Sequence, residues 1–492
     1  AVPISFLILF FLAANFTDCD LVTFWKRRSH LTDLVVDMIP PDFSYIQKIL
    51  LPLFYTIQMS VTGTVLGIFF ALVLSPFGAA NLGFPAVIRR ILRIVIQILR
   101  SFPALILALT ATFLFGLGTF AGTFAITLYT FAIMTKLTYE DASAADVKAY
   151  QALRAMGVSK YVAYIHGILP EIIPGFLTNA LYLLETNVRH SSILGYVGAG
   201  GIGLLLNEKI SWLAYDKVGT ILLMLFLTVC VIEYFSRYLA ALIRKERTIK
   251  KEQARLLLLF LAALFLICTF TLSLPDFSRT SPQTLRNMFA GFLQPDWSFF
   301  FSAEKDGLGY LLLETVCIAF IGTVIGAIVS APLAFLNTKR FVPAPVSFLF
   351  NLVIMVIRSV PFLVYGLIFI RVSGPGAFTG VLTLAVCSIG LLTKRFTEAL
   401  DALDMGVRPL PAICHSVLPQ LKPVFTSIIL YRFDVNIREA SVLGLVGAGG
   451  IGAPLIFSMN QYAWEKAGAI MLGLILLVWF IDMVSEKIGA GN

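Results

Sequence analysis

Residues 185–203 read ETNVRHSSILGYVGAGGIG, and residues 434–452 read DVNIREASVLGLVGAGGIG. Twelve of the nineteen positions are identical at a constant offset of 249, which chance does not produce. Internal repetition of this kind decides architecture ahead of any local signal. Working outward, Arg100-Ser101-Phe102-Pro103 matches Arg358-Ser359-Val360-Pro361 at an offset of 258, so the second copy is nine residues shorter between the two blocks. Pro41-Asp42-Phe43-Ser44 and Pro295-Asp296-Trp297-Ser298 carry the match toward the start of each copy. The chain reads as two tandem homologous halves, 1–247 and 248–492, joined by the basic stretch Arg244-Lys245-Glu246-Arg247…Lys250-Lys251.

The composition says where these halves reside. Of 492 residues, 58% are hydrophobic and 13% charged, against about 45–50% and about 25% for soluble domains. Too few ionisable groups remain to cover a water-facing surface, so an all-α polytopic membrane protein is expected. A soluble enzyme, a disordered scaffold and a disulfide-stapled secreted domain are excluded. A span needs about 20 mainly apolar residues. Such runs lie near 2–16, 50–75, 91–115, 117–135, 172–188 and 217–241, and again near 255–274, 309–336, 344–370, 376–392, 421–437 and 465–486. Six spans per half, about 12 in total, bring both halves into the membrane from the same side. The repeat is then parallel, unlike the inverted plan of many secondary transporters. Residues 2–16 lack a basic lead and a small-residue cleavage site, and a first transmembrane helix is expected there.

The net charge of +9 has a topological reading. Arg89, Arg90, Arg93, Lys136, Lys148, Arg154, Lys160, Lys339, Arg340, Lys394 and Arg395 fall on the inner side if both termini are cytoplasmic, and Lys/Arg bias sets orientation. Lys26, Arg27 and Arg28 lie on the outer side in this arrangement. No basic run sits beside aromatics in the way nucleic-acid binding needs, so no nucleic-acid partner is expected. Cys230, Cys268, Cys317 and Cys387 lie within apolar runs and read as small hydrophobes, and no metal site is expected.

The longest polar interruption of the first half is 136–170, with Gln151-Ala152-Leu153, then Gly157, then Leu169-Pro170 twelve residues later. A short helix-turn-helix projecting from the membrane fits these residues: Gly157 permits a sharp turn, and Pro170 ends one helix before the next span. The second half repeats the pattern at 394–419, with Ala402, Gly406 and Leu418-Pro419. Its entry helix carries the nine-residue deficit, so the two loops are expected to contact a partner unequally. The pattern resembles the cytoplasmic coupling loop of ABC importer permeases, which seats in an ATPase groove.

Gly198, Gly200, Gly201 and Gly203, with Gly447, Gly449, Gly450 and Gly452, formally match GxGxxG. The strand, helix and acidic partner of a dinucleotide site are missing. A tight non-helical turn at the outer membrane face is expected instead, serving as a gate or close-packing element or offering backbone N–H groups to an oxyanion.

Intramembrane charges are functional candidates by default. Three sets recur: Arg100/Arg358, Glu185/Asp434 and Arg189/Arg438. Glu185 and Arg189 are four apart, as are Asp434 and Arg438, which suits an intrahelical ion pair as well as a place on a substrate path. Arg100 and Arg358 have no acid at i±3 or i±4, and each precedes Ser101 or Ser359 and a proline that frees backbone groups in mid-span. Arg432 has Leu183 at its equivalent position and no charged counterpart. No catalytic set is present: His30, His166, His190 and His415 are scattered, and no HExxH, GxSxG or Walker phosphate loop occurs.

With these residues assembled, the chain resembles the permease of phosphonate-type ABC importers, as a fusion of two permease units. The blocks starting at Tyr182 and Tyr431 carry the resemblance, with the Arg-Ser-x-Pro blocks and the loop glycines; the terminal Gly-Ala-Gly-Gly pattern is shared with methionine-type permeases. The resemblance implies two ABC type I importer transmembrane domains. It implies a transport subunit rather than an enzyme, located in a prokaryotic cell membrane, that moves phosphonate, phosphite or phosphate by ATP-driven alternating access. A permease for methionine or another small organic solute, or an ion-coupled secondary transporter, is the alternative. The implied partners are two copies of a cytoplasmic ABC ATPase carrying ATP-Mg and an extracytoplasmic phosphonate-type binding protein. One fused chain would serve per complex, with no cofactor of its own. Gln151 stands where the family has a Glu.

Overall fold

The computed structural model describes residues 2–244, 250–273, 275, 282–302, 304–402 and 418–490. Helices follow in the order α1 (Val2–Phe16), α2 (Leu21–Lys26), α3 (Arg28–Asp37), α4 (Ile46–Gly78), α5 (Ala86–Ser101) and α6 (Ala104–Phe115). Next come α7 (Thr119–Ala144), α8 (Lys148–Ala155), α9 (Lys160–Gly167), α10 (Leu169–Leu194), α11 (Ile202–Ser211) and α12 (Tyr215–Ile243). The second half runs α13 (Lys251–Phe270), α14 (Pro282–Leu293), α15 (Trp297–Phe300), α16 (Leu308–Asn337) and α17 (Ala344–Ser359). It ends with α18 (Phe362–Ser373), α19 (Ala377–Ala402), α20 (Leu418–Leu443), α21 (Gly452–Asn460) and α22 (Trp464–Ala490).

Seven of the described helices are long and apolar enough to cross a membrane, or up to ten if three bent pairs each count as one span. The expected single spans at 91–115 and 344–370 are bent pairs: α5 and α6 meet at 96°, and α17 and α18 at 88°. The prolines are the cause. Pro103 and Pro361 have no N–H and push the preceding residue out of the helical region, and Phe102 and Val360 are extended (ψ 128° and 124°). The expected span 172–188 lies in α10, which meets α9 at 70°. The span expected at 421–437 lies in α20, whose charges Lys422, Arg432, Asp434, Arg438 and Glu439 keep it out of the apolar set. In α1 the apolar stretch is the short Leu7–Phe16.

Two compact units form: Pro40–Leu285, and Ala1–Ile39 together with Arg286–Asn492. They differ from the sequence halves in one respect, that the first helical segment of each half packs on the core of the other. Helix α13 lies against α4, where the Gln58 amide donates to Cys268 O (3.0 Å) and Thr271 Oγ1 (2.8 Å). Helix α1 lies against α16, and α2 and α3 against α18, with the Phe16 and Tyr310 rings 4.9 Å apart.

In each unit two long helices approach closely through a repeated Gly-x-x-x-Gly. Side chains added at Gly63 and Gly67 of α4 would meet Ile126 and Thr130 of α7 at 2.7 and 2.6 Å. Gly322 and Gly326 of α16 face Leu384 and Ser388 of α19 in the same way. With no water to expel inside a bilayer, such small-residue contact is how transmembrane helices associate.

The Pro-Asp-aromatic-Ser repeat is a knuckle. Asp42 Oδ1 accepts from the N–H of Ser44 and Asp296 Oδ1 from that of Ser298, both at 3.0 Å. Donation from the Ser44 and Ser298 hydroxyls to the same oxygens, together with these backbone bonds, holds both carboxyls below the usual range. The Asp42 N–H donates to Asp216 O (3.3 Å) and that of Asp296 to Glu465 O (3.0 Å), fixing the entry of α4 beside α12 and of α15 beside α22.

Candidate functional site

The two Gly-rich blocks fold alike. Helix α10 passes through a 3-10 turn, Gly195–Val197, and Gly198, Gly200 and Gly201 then take φ of +84°, +77° and +77° before α11 begins. Gly447, Gly449 and Gly450 take +78°, +78° and +76° before α21. Only glycine holds such a run without strain. The turn is anchored twice in each half. The Gly118 N–H donates to Gly198 O (3.1 Å) and that of Gly376 to Gly447 O (2.9 Å). The Ile202 N–H donates to Thr56 Oγ1 (2.9 Å) and that of Ile451 to Thr315 Oγ1 (3.1 Å). Gly198 and Ala199 also give their N–H groups to Gly195 O and Leu194 O, as Gly447 and Ala448 do to Gly444 O and Leu443 O, and the Gly450 N–H faces the Glu314 carboxylate. Most of these donors are used internally, which fits a close-packed joint better than an oxyanion cradle. Thr56→Val should lower thermal stability by about 1 kcal/mol, the net worth of one such bond, whereas Thr56→Ser should hold it near wild type. Thermal unfolding in detergent reads the difference.

Just before the turn, Asn187 of α10 donates to Thr64 Oγ1 of α4 and Thr130 Oγ1 of α7, both at 2.8 Å. Asn436 of α20 donates to Thr323 Oγ1 of α16 (2.6 Å) and Ser388 Oγ of α19 (2.9 Å). One buried amide thus ties three helices in each half. Glu185 pairs with Arg189, and Asp434 with Arg438, along their own helices. Arg432 also has a partner: Nη2 lies 2.8 Å from Glu439 Oε2 and Nε 3.1 Å from Ser388 Oγ. At the matching places the first half has Leu183 and His190, with the His190 ring 5.0 Å from that of Tyr129.

Arg100 and Arg358 end α5 and α17, at the bend of each pair. Both are half-buried. Arg100 Nη1 is 3.5 Å from Gln97 Oε1, and the stem of Arg358 covers Gly390, where a Cβ would meet Arg358 Cγ at 2.9 Å. Ser101 and Ser359 are buried and bond back to their own helices, at Gln97 O (2.9 Å) and Val356 O (2.8 Å). They stiffen the helix end and do not face outward.

The 136–170 loop is the expected helix-turn-helix. Gly157 at φ +85° closes α8, with Val158 N donating to Leu153 O and Gly157 N to Arg154 O, the bonding of a glycine C-cap. Ser159 caps α9. Leu169 and Pro170 open α10 rather than closing α9, since a first-turn N–H is expendable. Tyr150, Ala163, Tyr164 and Ile168 are buried against Ala79, Leu82, Tyr139 and Ala142, and the Tyr150 hydroxyl donates to Leu82 O (2.7 Å). The opposite face, Gln151, Ala152, Ala155, Met156 and Gly157, is exposed. In the second loop, Ala402 ends α19 and Leu418 and Pro419 open α20, while Gly406 lies outside the described residues.

Residues 63–248 match the family described as binding-protein-dependent transport system inner membrane component. The chain is 27% identical over 475 residues to the phosphate-import permease protein PhnE of Mycolicibacterium smegmatis, covering 93% of this chain and 88% of that one. It is 34% identical over 184 residues to the phosphite transport system permease protein PtxC of Stutzerimonas stutzeri, covering 35% of this chain and 67% of that one. It is also 34% identical over 117 residues to the putative cryptic phosphonate transport system permease protein PhnE2 of Escherichia coli, covering 22% of this chain and 96% of that one. The chain belongs to the phosphonate/phosphite-type permeases of binding-protein-dependent ABC importers. As a member of this permease family it is a multi-pass membrane transport subunit, and its family works with an ATPase and a substrate-binding protein.

Several residues that organise this permease escape a reading for charge and glycine runs alone. Asn187 and Asn436 sit inside the quoted repeat and drew no role from it. Thr56, Thr64 and Thr130 recur as Thr315, Thr323 and Ser388 at offsets of 259, 259 and 258. Matching polar residues inside apolar runs at those offsets was the signal.

Proposed function

We propose that this permease imports phosphonate, phosphite or phosphate oxyanions by ATP-driven alternating access. Both termini are cytoplasmic in a prokaryotic cell membrane, and one fused chain replaces a permease dimer. Two ATPase copies carry ATP-Mg and engage the 148–157 and 394–419 loops; an extracytoplasmic binding protein delivers the ion. The observation that carries the reading is the exposed α8–Gly157 face, which stands on a buried aromatic core fixed to the ends of α4 and α7. A displacement imposed there reaches the long helices as a rigid-body push. The names of the relatives supply the oxyanion class.

Arg100 and Arg358 are the path residues in this reading, held at a bend where broken backbone leaves the helix. Arg189 and Arg438, each already paired, orient Glu185 and Asp434 instead. The test reconstitutes the chain with the ATPase and binding protein of its neighbouring reading frames and follows uptake of labelled phosphate and methylphosphonate. ATP-dependent uptake is expected, and Arg100→Gln/Arg358→Gln should slow it about tenfold through loss of charge-assisted contacts to the ion. Uptake that persists without the ATPase would instead identify an ion-coupled transporter, and wild-type rates in the double variant would remove the arginines from the path.

A further inference from the structure

Three lysines of the first half converge on one buried aromatic ring. The ammonium groups of Lys48, Lys209 and Lys217 lie 5.8, 5.5 and 5.7 Å from the centroid of Tyr45. They come from three elements: the start of α4, the end of α11 and the start of α12. The Pro-Asp-Phe-Ser knuckle brings them together, since the Asp42 N–H donates to Asp216 O and Thr220 Oγ1 donates to Asp42 O (3.0 Å). Lys209 is buried and lies 4.1 Å from the Trp212 ring centroid, whereas Lys48 is exposed and Lys217 half-buried. Gathering like charges is unfavourable unless something neutralises them. Glu208 pairs with Lys209 at 2.7 Å and Asp42 faces Lys217.

The second half shows what the fold itself requires. Phe299 replaces Tyr45, Ser302 replaces Lys48, Ser458 replaces Lys209, and Lys466 alone remains, 4.6 Å from the Phe299 ring centroid. The same knuckle forms there with one cation. The two added lysines in the first half are therefore not needed for folding. Cation–π contact with the ring holds the ammonium groups in place, and the α4 N-terminus adds its positive end at the same spot.

We propose that Lys48, Lys209 and Lys217 form a binding site for a phosphate-type oxyanion at the extracytoplasmic end of the first half. A tetrahedral oxyanion has enough acceptor oxygens to bridge several ammonium donors, and each such bond is charge-assisted. The side of the membrane rests on the importer reading above. In that reading, the ion meets this site before the Gly-rich joint, which leads directly into the helix carrying Lys209. The hydrogen bond that Lys209 donates to the Glu208 carboxylate raises the Lys209 pKa, so this group stays cationic. A free oxyanion and an anionic lipid headgroup share the chemistry, and the test separates them.

The full chain is placed in phosphatidylcholine nanodiscs without any ATPase, and 31P NMR line broadening of inorganic phosphate is measured. Wild type should broaden the line, Lys48→Gln/Lys217→Gln should weaken binding about tenfold, Lys48→Arg/Lys217→Arg should restore it, and Lys466→Gln should match wild type. If phosphatidylglycerol is the occupant, native mass spectrometry should find it retained by wild type and lost from the double Gln variant, and added phosphate should not bind. That outcome assigns the same site to a headgroup. Equal phosphate and phosphatidylglycerol binding in wild type and the double Gln variant overturns the proposal. Because binding is read without transport, failure of the importer reading leaves this result standing. A wild type that imports phosphate without binding it here removes only the site.

Discussion

Arg432→Leu should destabilise the permease by about 3–5 kcal/mol, the cost of leaving a buried charge without its partner. The arginine side chain is 4% exposed and that of Glu439 17% exposed, so water cannot re-solvate the carboxylate fully once the guanidinium is gone. Ser388 would also lose a donor while still accepting from Asn436. The first half indicates the rescue. It builds the same three-helix contact with Leu183 and His190, so Arg432→Leu/Glu439→His should recover most of the loss, while Glu439→His alone should not. Thermal unfolding of the four proteins in one detergent gives the double-mutant cycle. A coupling near zero would mean that the pair contributes nothing beyond its separate residues.

Gly203→Ala should be nearly as damaging and should abolish transport. A Cβ at this position would lie 2.4 Å from Ser192 O, and one at Gly452 2.5 Å from Ser441 O. Both obstacles are backbone atoms at the end of a long helix, with no flexible tip to swing aside. Overpacking of this kind costs up to about 3 kcal/mol, and relief requires opening the joint between α10 and α11. Gly175→Ala is the control: on the same α10, its Cβ would find nothing closer than Asp141 Oδ2 at 4.0 Å. It should therefore be neutral or slightly stabilising through better helix propensity. Unfolding temperature and ATP-dependent uptake should fall together in Gly203→Ala and Gly452→Ala and remain unchanged in Gly175→Ala.

The local devices were legible in the residues. Gly157 specifies a turn through its own backbone chemistry and Glu185–Arg189 needs only helical spacing, whereas Leu169-Pro170, read as the end of one helix, opens the next, because proline is accepted in a first turn as readily as it stops a last one. Arg432 was harder to read because its partner lies seven residues on, two turns along the same face, where a test at i±4 does not look. The bends at Pro103 and Pro361 follow from proline, yet a turn of nearly 90° depends on what the two segments pack against. Gly63-x-x-x-Gly67 and Gly322-x-x-x-Gly326 were in plain view and mark close helix contacts in each unit. The packing of α1 and α13 on the other half could not be read at all, because apolar runs name the solvent a helix prefers and not its neighbour.

That crossing sets an order of events during synthesis. Helix α1 leaves the ribosome before α16, and its seat there begins about 300 residues later, which at ~5–20 residues per second is a delay of roughly 15–60 s. The unit Pro40–Leu285 is complete before that seat exists. For this interval α1 waits without its α16 partner, and it becomes a piece of the later of the two units to close.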